Sequence, residues 1–196
     1  MIGQADGVDV LDFVLAELAP PSGARVLEVG CGDGELAGTL AAAGFDVLAI
    51  DPEAPEGSLF RRTTIEELEE SGPFDAVVAS RSLHHVADLA VALDRIAGLL
   101  LGGGLVVIDD FGWERLDDAS ANRVGIGLEQ WRHEHDHLHP SDTMLCELDA
   151  RFTRRSFSWE PYFYREAHHA VTEDVERELI DGGQLPPIGF RYVGNR

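Results

Sequence analysis

Lysine is missing from this chain: all 15 basic residues are arginine, and they face 36 Asp and Glu, for a net charge of −21. Such a balance repels phosphate backbones and anionic bilayers, so neither nucleic acid nor a membrane is an expected partner. The paired arginines at 61–62 and 154–155 read as solvated surface groups. Codon bias and salt adaptation both account for the missing lysine, and both stay open. Cysteine is scarce too. Cys31 and Cys146 are too few for a disulfide framework and read as reduced thiols in a cytoplasmic protein. No apolar run is long enough to cross a bilayer, and the start MIGQADGVDVLDF has no basic, apolar leader. With 196 residues the chain has room for one full core, not two.

What is present is concentrated at residues 26–34, VLEVGCGDG. An apolar strand runs into glycines at alternate positions, Gly30, Gly32 and Gly34, and a helical stretch, ELAGTLAAAG, follows. A second apolar run, VLAI, then ends in Asp51. A strand–glycine–helix turn brings backbone N–H groups close to a ligand, and a carboxylate at the tip of the next strand accepts from a ribose. A dinucleotide fingerprint needs its third glycine where this chain has Glu35. Glu28, Asp33 and Glu35 ring the turn with negative charge, which opposes a pyrophosphate and suits a cationic nucleoside.

The rest of the first half alternates strands and helices. A helix is expected over 8–18, closed by Pro20–Pro21. A strand over 24–30, a helix over 34–43 stopped by Gly44, and a strand over 45–51 follow. A short edge strand over 58–61 precedes a short helix in TTIEELEE, with threonine at its cap. FDAVVAS, 74–80, reads as a buried strand, then a helix over 88–101, the glycines 102–104, and a strand over 105–109. This alternation implies a parallel sheet with helices on both faces.

These motifs resemble those of class I S-adenosylmethionine-dependent methyltransferases. E-x-G-x-G-x-G with Asp51 is similar to the first motif of that family. FDAVVASRSLHHV is similar to the fourth-strand motif of its small-molecule members. LLLGGGLVVID is similar to the L-x-P-G-G turn, with Gly102 where proline is common. The likeness covers about residues 20 to 112. It is nearest in character to the ubiquinone- and menaquinone-biosynthesis methyltransferases. It implies an α/β fold: a Rossmann-like, doubly wound, seven-stranded sheet, mostly parallel, with a late antiparallel hairpin and helices on both faces. It implies a single domain over 1–196, with the cofactor-binding core in 1–112, pocket elements and a late hairpin strand in 113–187, and a final strand in 188–196.

The resemblance also implies S-adenosylmethionine as cofactor. Glu28 is expected near the sulfonium and amino group. Gly30, Cys31, Gly32 and Gly34 form the turn beside the methionine portion, and Asp51 faces the ribose. Pro52, Ile65 and Glu66 are assigned to the adenine end, where Thr64 stands in place of the family's usual aspartate. Ser80 and Arg81 lie at the methionine end. Methyl transfer from a sulfonium is an in-line SN2 displacement that needs little beyond positioning and, for a hydroxyl, a base.

The second half is expected to supply the acceptor pocket. A helix from Ser141 carries Met144, Leu145, Leu148 and Phe152 on one face. Residues 157–166 read as a strand, 171–183 as a helix, and 189–194 as the last strand. His133, His135, His137 and His139 would share one face if extended, or form i, i+4 pairs if helical. No physiological metal is expected there, for want of a well-separated ligand set. The candidate general bases are His85, His137 and His139. A nicotinamide-dependent oxidoreductase and a non-catalytic S-adenosylmethionine-binding regulatory protein stand as the alternative functions. A small-molecule acceptor is the expected partner, and a homodimer stays open.

Overall fold

The computed structural model describes residues 6–18, 23–70, 72–166 and 171–196. The expected stop at Pro20–Pro21 lies outside them. Among the described residues, helix α1 (Asp6–Glu17) precedes strand β1 (Arg25–Val29), helix α2 (Glu35–Ala42), and strands β2 (Asp46–Asp51), β3 (Phe60–Arg62) and β4 (Phe74–Ser80). Helix α3 (Leu89–Leu99) leads into strand β5 (Leu100–Phe111). Helices α4 (Asp118–Val124), α5 (Leu128–His135) and α6 (Ser141–Arg151) come next. Strand β6 (Thr153–Glu160), helices α7 (Phe163–Glu166) and α8 (Glu173–Asp181), and strand β7 (Gly189–Asn195) complete the order.

The strands form one seven-stranded sheet in the order β3-β2-β1-β4-β5-β7-β6. The first five are parallel, and β7 runs antiparallel to both β5 and β6. The strand order reverses between β1 and β4, so the connections that leave the carboxyl ends of those two strands run to opposite sides and leave a crevice.

Alternation along each central strand divides the core. Leu27, Val29, Leu48, Ile50, Val77 and Ile108 face one way and pack with Leu93 and Ile96 of α3 and Met144 and Leu148 of α6. Val26, Val47, Ala49, Val78 and Val107 face the other way and pack with Val10 and Val14 of α1 and Leu40 of α2. Both faces of the central strands are therefore apolar, as a covered parallel sheet requires. A third cluster, with Phe111, Trp131, Leu138, Tyr162 and Phe163, sits over the carboxyl end of β5. No helix of the described residues is long and apolar enough to cross a membrane.

The fold class is as the sequence implies, and the hairpin of β6 and β7 carries the 171–187 insertion between its strands. Three local expectations are corrected. TTIEELEE makes a single turn, not a helix. Thr64 Oγ1 does accept from the Glu67 amide at 3.3 Å. Arg95 then takes the carbonyls of Leu68 and Glu70, each at 2.6 Å, and Glu66 is drawn off to the amide of Ala87 at 3.2 Å. Second, α3 stops at Leu99, and β5 begins at Leu100, with a register shift absorbing residues 101–104. Third, the strand expected over 157–166 ends at Glu160. Pro161 lacks a ladder N–H. The amides of Tyr162, Phe163 and Tyr164 turn instead to the carboxylate of Glu176.

Candidate active site

One cavity of about 1310 Å³ opens at the crevice where the strand order reverses. That exceeds the roughly 300–1,000 Å³ that one drug-sized ligand fills, so two molecules have room side by side. Glu28, Gly30, Cys31, Gly32, Asp51 and Pro52 line one end. Ile65, Glu66, Ser80, Arg81, His85 and His137 also line it. The sequence-picked residues absent from the wall are Gly34 and His139.

The three glycines serve different purposes. Gly30 has φ 75°, and a Cβ there would come within 2.1 Å of Ser82 Cβ, so glycine lets the loop after β4 pack on the turn. Gly34 caps α2 at φ 85°, and its Cβ would strike the Phe60 ring at 2.5 Å. Gly34 is thus a packing glycine behind the turn. Gly32 has φ 51° and nothing within 4 Å of its would-be Cβ. Its left-handed backbone accounts for the glycine, and its open side lies on the cavity wall.

Asp51 ties the turn together. Its Oδ2 accepts from the Gly32 amide at 3.1 Å, and its Oδ1 accepts from the Glu53 amide at 2.8 Å. Glu28 is 3% exposed, and its Oε2 is buried without a hydrogen-bond partner. Burial first, then the charges of Asp33 and Asp51, push its carboxyl up to about 8 from 4.5. A backbone hydrogen bond with Ala37 works against that shift, and the unpartnered oxygen among other acids suits a cation, which would supply the missing partner. Burial and the same carboxylates push the Cys31 thiol up to about 12, so it is no nucleophile at neutral pH.

On the far wall, Arg81 holds φ 51°, a left-handed backbone conformation rare for a side-chain-bearing residue, and its amide donates to the Asp109 carbonyl at 2.7 Å. His85 lines the cavity, and burial, followed by the charge of neighbouring His84, lowers its pKa. An imidazole of that kind is neutral near pH 7 and able to accept a proton. His137 stands exposed on the rim, past the end of α5 at His135. His139 is a staple: its Nε2 meets the Val86 carbonyl at 2.9 Å and its amide donates to the His84 carbonyl at 3.1 Å. The helix carries His133 and His135 and ends before His137 and His139, so the four imidazoles do not share one extended face.

The sequence reading missed Asp110. It lies on β5 with its carboxylate against His84 Nδ1 at 2.6 Å. A doubled acid at the carboxyl end of a central strand, IDDF, was the available signal. Its partner Asp109 instead pairs with Arg191 of β7 at 3.2 Å. Phe111 and Tyr162 stack with centroids 4.1 Å apart and also line the cavity.

A doubly wound sheet with an acid-ringed glycine turn at its switch point defines a nucleoside-binding α/β enzyme fold with a cationic ligand. The profile of the Methyltransferase domain family matches residues 5–152, and the chain belongs to that family. It is 40% identical over 113 residues to a ubiquinone biosynthesis O-methyltransferase of Xylella fastidiosa, covering 50% of this chain and 46% of the relative. The chain spans about half the length of the curated relatives it matches. An S-adenosylmethionine-dependent methyltransferase from Mesorhizobium loti shares its fold with a TM-score of 0.68 at 18% identity, over 97% of this chain and 99% of that one. An N-methyltransferase from Bradyrhizobium japonicum does so with a TM-score of 0.59 at 16% identity, over 96% and 94%. The fold thus carries both oxygen and nitrogen chemistry.

S-adenosylmethionine fits the residues present. Bound there, it would bring a cation to Glu28, ribose hydroxyls to Asp51 and an extended chain to the open side of Gly32.

Proposed function

We propose that this chain transfers a methyl group from S-adenosylmethionine to a small-molecule acceptor. The observation that carries the reading is the buried, unpartnered Oε2 of Glu28, a residue that lines the same cavity as the open side of Gly32. When bound, the cofactor supplies a methyl group on an activated sulfonium, open to in-line displacement.

The protein's share is binding and orientation. Glu28 neutralises the cation, Asp51 accepts from the ribose, and the Gly32 backbone lies alongside the amino-acid chain. Pro52, Ile65 and Glu66 flank the adenine end, and Ser80 and Arg81 hold the side nearest β4. Residues 1–112 form the cofactor half and 113–187 the acceptor half, with 188–196 closing the sheet, all as one domain. Of the histidines picked from the sequence, His85 and His137 line the cavity; His137 is exposed at its rim and burial lowers the pKa of His85, which favours His85 as the proton acceptor. The acidic balance supports a small acceptor over nucleic acid or a membrane, and the two unpaired cysteines support the cytoplasm as the compartment.

A nicotinamide cofactor would have to lay its pyrophosphate among Glu28, Asp33 and Glu35, which the electrostatics disfavour. Calorimetric titration with S-adenosylhomocysteine and with NADH tests this: the first is expected to bind and the second to give no heat. The reverse result overturns the proposal. A turnover screen across phenols, amines and carbon acids separates an enzyme from a cofactor-binding regulator.

A further inference from the structure

In a chain with 15 arginines against 36 acids, three arginines gather around one carboxylate at the carboxyl end of β5. Asp109 is 9% exposed there and pairs with Arg191 of β7 at 3.2 Å. The Arg81 amide donates to its carbonyl at 2.7 Å, which brings Arg81 alongside. Burial pushes the Asp109 carboxyl up, and the charges of Arg165 and Arg191 draw it back, so Arg165 of α7 is near as well. Yet Arg165 Nε and Nη1 are buried with no hydrogen-bond partner among the described residues. The Arg165 guanidinium carbon lies 5.1 Å from the Tyr164 ring, a contact that leaves those donors unmet. A buried guanidinium with unmet donors is costly until an anion fills them.

We infer that the acceptor carries a carboxylate, held by Arg165 and Arg81 against the Tyr162 side of the cavity, a reading that rests on methyl transfer as the activity and assigns it an acceptor class.

Access follows from the turn that carries Arg165. Arg81, Tyr162 and Glu166 line the cavity. Arg165 stands between Tyr162 and Glu166 in the chain, and its amide donates to the Tyr162 carbonyl at 3.0 Å. Residues three apart on a helical turn share a face, with Cβ atoms about 5–6 Å apart. An arginine stem spans that gap, so Arg165 reaches a ligand seated against Tyr162 by rotation of its own side chain. Burial, then the charges of Glu166 and Asp110, raise the Tyr162 pKa against the pull of Arg81 and Arg165. The phenol therefore stays protonated and is a third donor for the same anion. Arg81 keeps its left-handed φ of 51° where its residue meets the cavity, a strained backbone of the kind held at binding sites.

Charge and shape choose a carboxylate. Asp109 and Glu166 offset two of the three arginines, which leaves one positive charge for a monoanion. Asp110 points to the other face of β5, where the amides of Leu83 and Phe111 and the His84 ring hold it. Glu134 also lines this end of the cavity, but it is exposed and screened by water and salt. A guanidinium fork matches two coplanar oxygens. A phosphate monoester would bring nearly two charges to a site with one to neutralise.

The probe is benzoate, titrated into protein saturated with S-adenosylhomocysteine, with benzamide as its neutral twin. Benzoate is expected to bind, and benzamide to bind roughly tenfold or more weakly. Arg165→Gln is expected to weaken benzoate about 10–100-fold, the range for a lost hydrogen bond to a charged group, and to leave S-adenosylhomocysteine affinity unchanged. Failure of benzoate to bind, equal binding of benzamide, or equal binding of benzoate to Arg165→Gln overturns the site. Tighter binding of phenyl phosphate than of benzoate overturns the carboxylate. The cofactor has a carboxylate of its own, so decarboxylated S-adenosylhomocysteine is the control. If Arg165→Gln weakens S-adenosylhomocysteine but not the decarboxylated form, the arginines hold the cofactor and the acceptor class is overturned. If Arg165→Gln fails to fold, the Arg165 Nε–H resonance of the wild type decides. It is expected to shift as benzoate is added, and a resonance that stays in place overturns the site. Failure of S-adenosylhomocysteine itself to bind overturns the methyl-transfer reading, a distinct outcome.

Discussion

The amide of Gly32 donates to Asp51 Oδ2 across 3.1 Å, linking the glycine turn after β1 to the tip of β2. One carboxylate thus sets the shape of the turn and presents its remaining lone pairs to the cavity. Replacing Asp51 with alanine removes both. The expected loss of S-adenosylhomocysteine affinity is about 1–3 kcal/mol, the range for a charge-assisted hydrogen-bond pair. Isothermal titration checks it, and an unchanged dissociation constant refutes the role.

Gly30 and Gly32 are expected to respond in opposite ways to the same small substitution. Gly30→Ala drives a Cβ to within 2.1 Å of Ser82, so the fold is strained and the melting temperature falls steeply. Gly32→Ala meets no protein atom and costs about 1–2 kcal/mol for the left-handed backbone alone. It does intrude on the ligand's space, so S-adenosylhomocysteine binding is lost while the protein stays folded. Gly32→Val intrudes further and is expected to abolish binding outright. Thermal melts and titrations on the alanine variants separate the cases. Equal melting losses would show that the space over Gly32 has no special role.

Glu176 is fully buried on α8 and accepts from the amides of Tyr162, Phe163 and Tyr164 at 2.7, 3.0 and 2.8 Å. It holds one wall of the acceptor half in place. Glu176→Ala strands those buried donors, each costing about 1–3 kcal/mol when unpartnered. Hydrogen exchange at the three amides is expected to accelerate well before exchange in β1 or β4 does. Uniform acceleration across the sheet would mean that Glu176 supports the whole fold rather than this wall.

Strands β1, β2 and β4 were legible because each is a short apolar run ending at a turn signal, and both sheet faces are buried. Asp51 and the glycine turn were legible because their spacing is local. Asp110 was not, since its meaning depends on His84 across 26 residues of separation. His139 misled for the same reason: a histidine's role is set by what its ring nitrogens meet, here the Val86 carbonyl. The turn at 65–67 escaped local reading because distant groups hold the segment: Arg95 binds the carbonyls of Leu68 and Glu70, and Glu66 goes to the amide of Ala87. Residues 161–166 escaped it because Glu176 competes for their amides. In each case a distant polar side chain overrode a local pattern.

With a cation bound beside Glu28, cofactor binding is expected to be linked to a proton. Its carboxyl sits at about 8 in the folded protein against 4.5 for the free side chain. Between those values the folded state holds more protons than the unfolded one, so this residue's contribution to stability falls as pH rises from 4.5 through 8 and is level above that. A bound cation favours the ionised form and reverses the preference. Binding near pH 7 is therefore expected to expel a proton from Glu28, with affinity climbing as pH rises toward 8. Calorimetry in buffers of different ionisation enthalpy should give a slope near one proton released for the wild type. Glu28→Gln is expected to abolish that slope, weaken binding, and flatten the fall in stability across the same pH range. Proton release as large in the variant as in the wild type would place the cation somewhere other than beside Glu28.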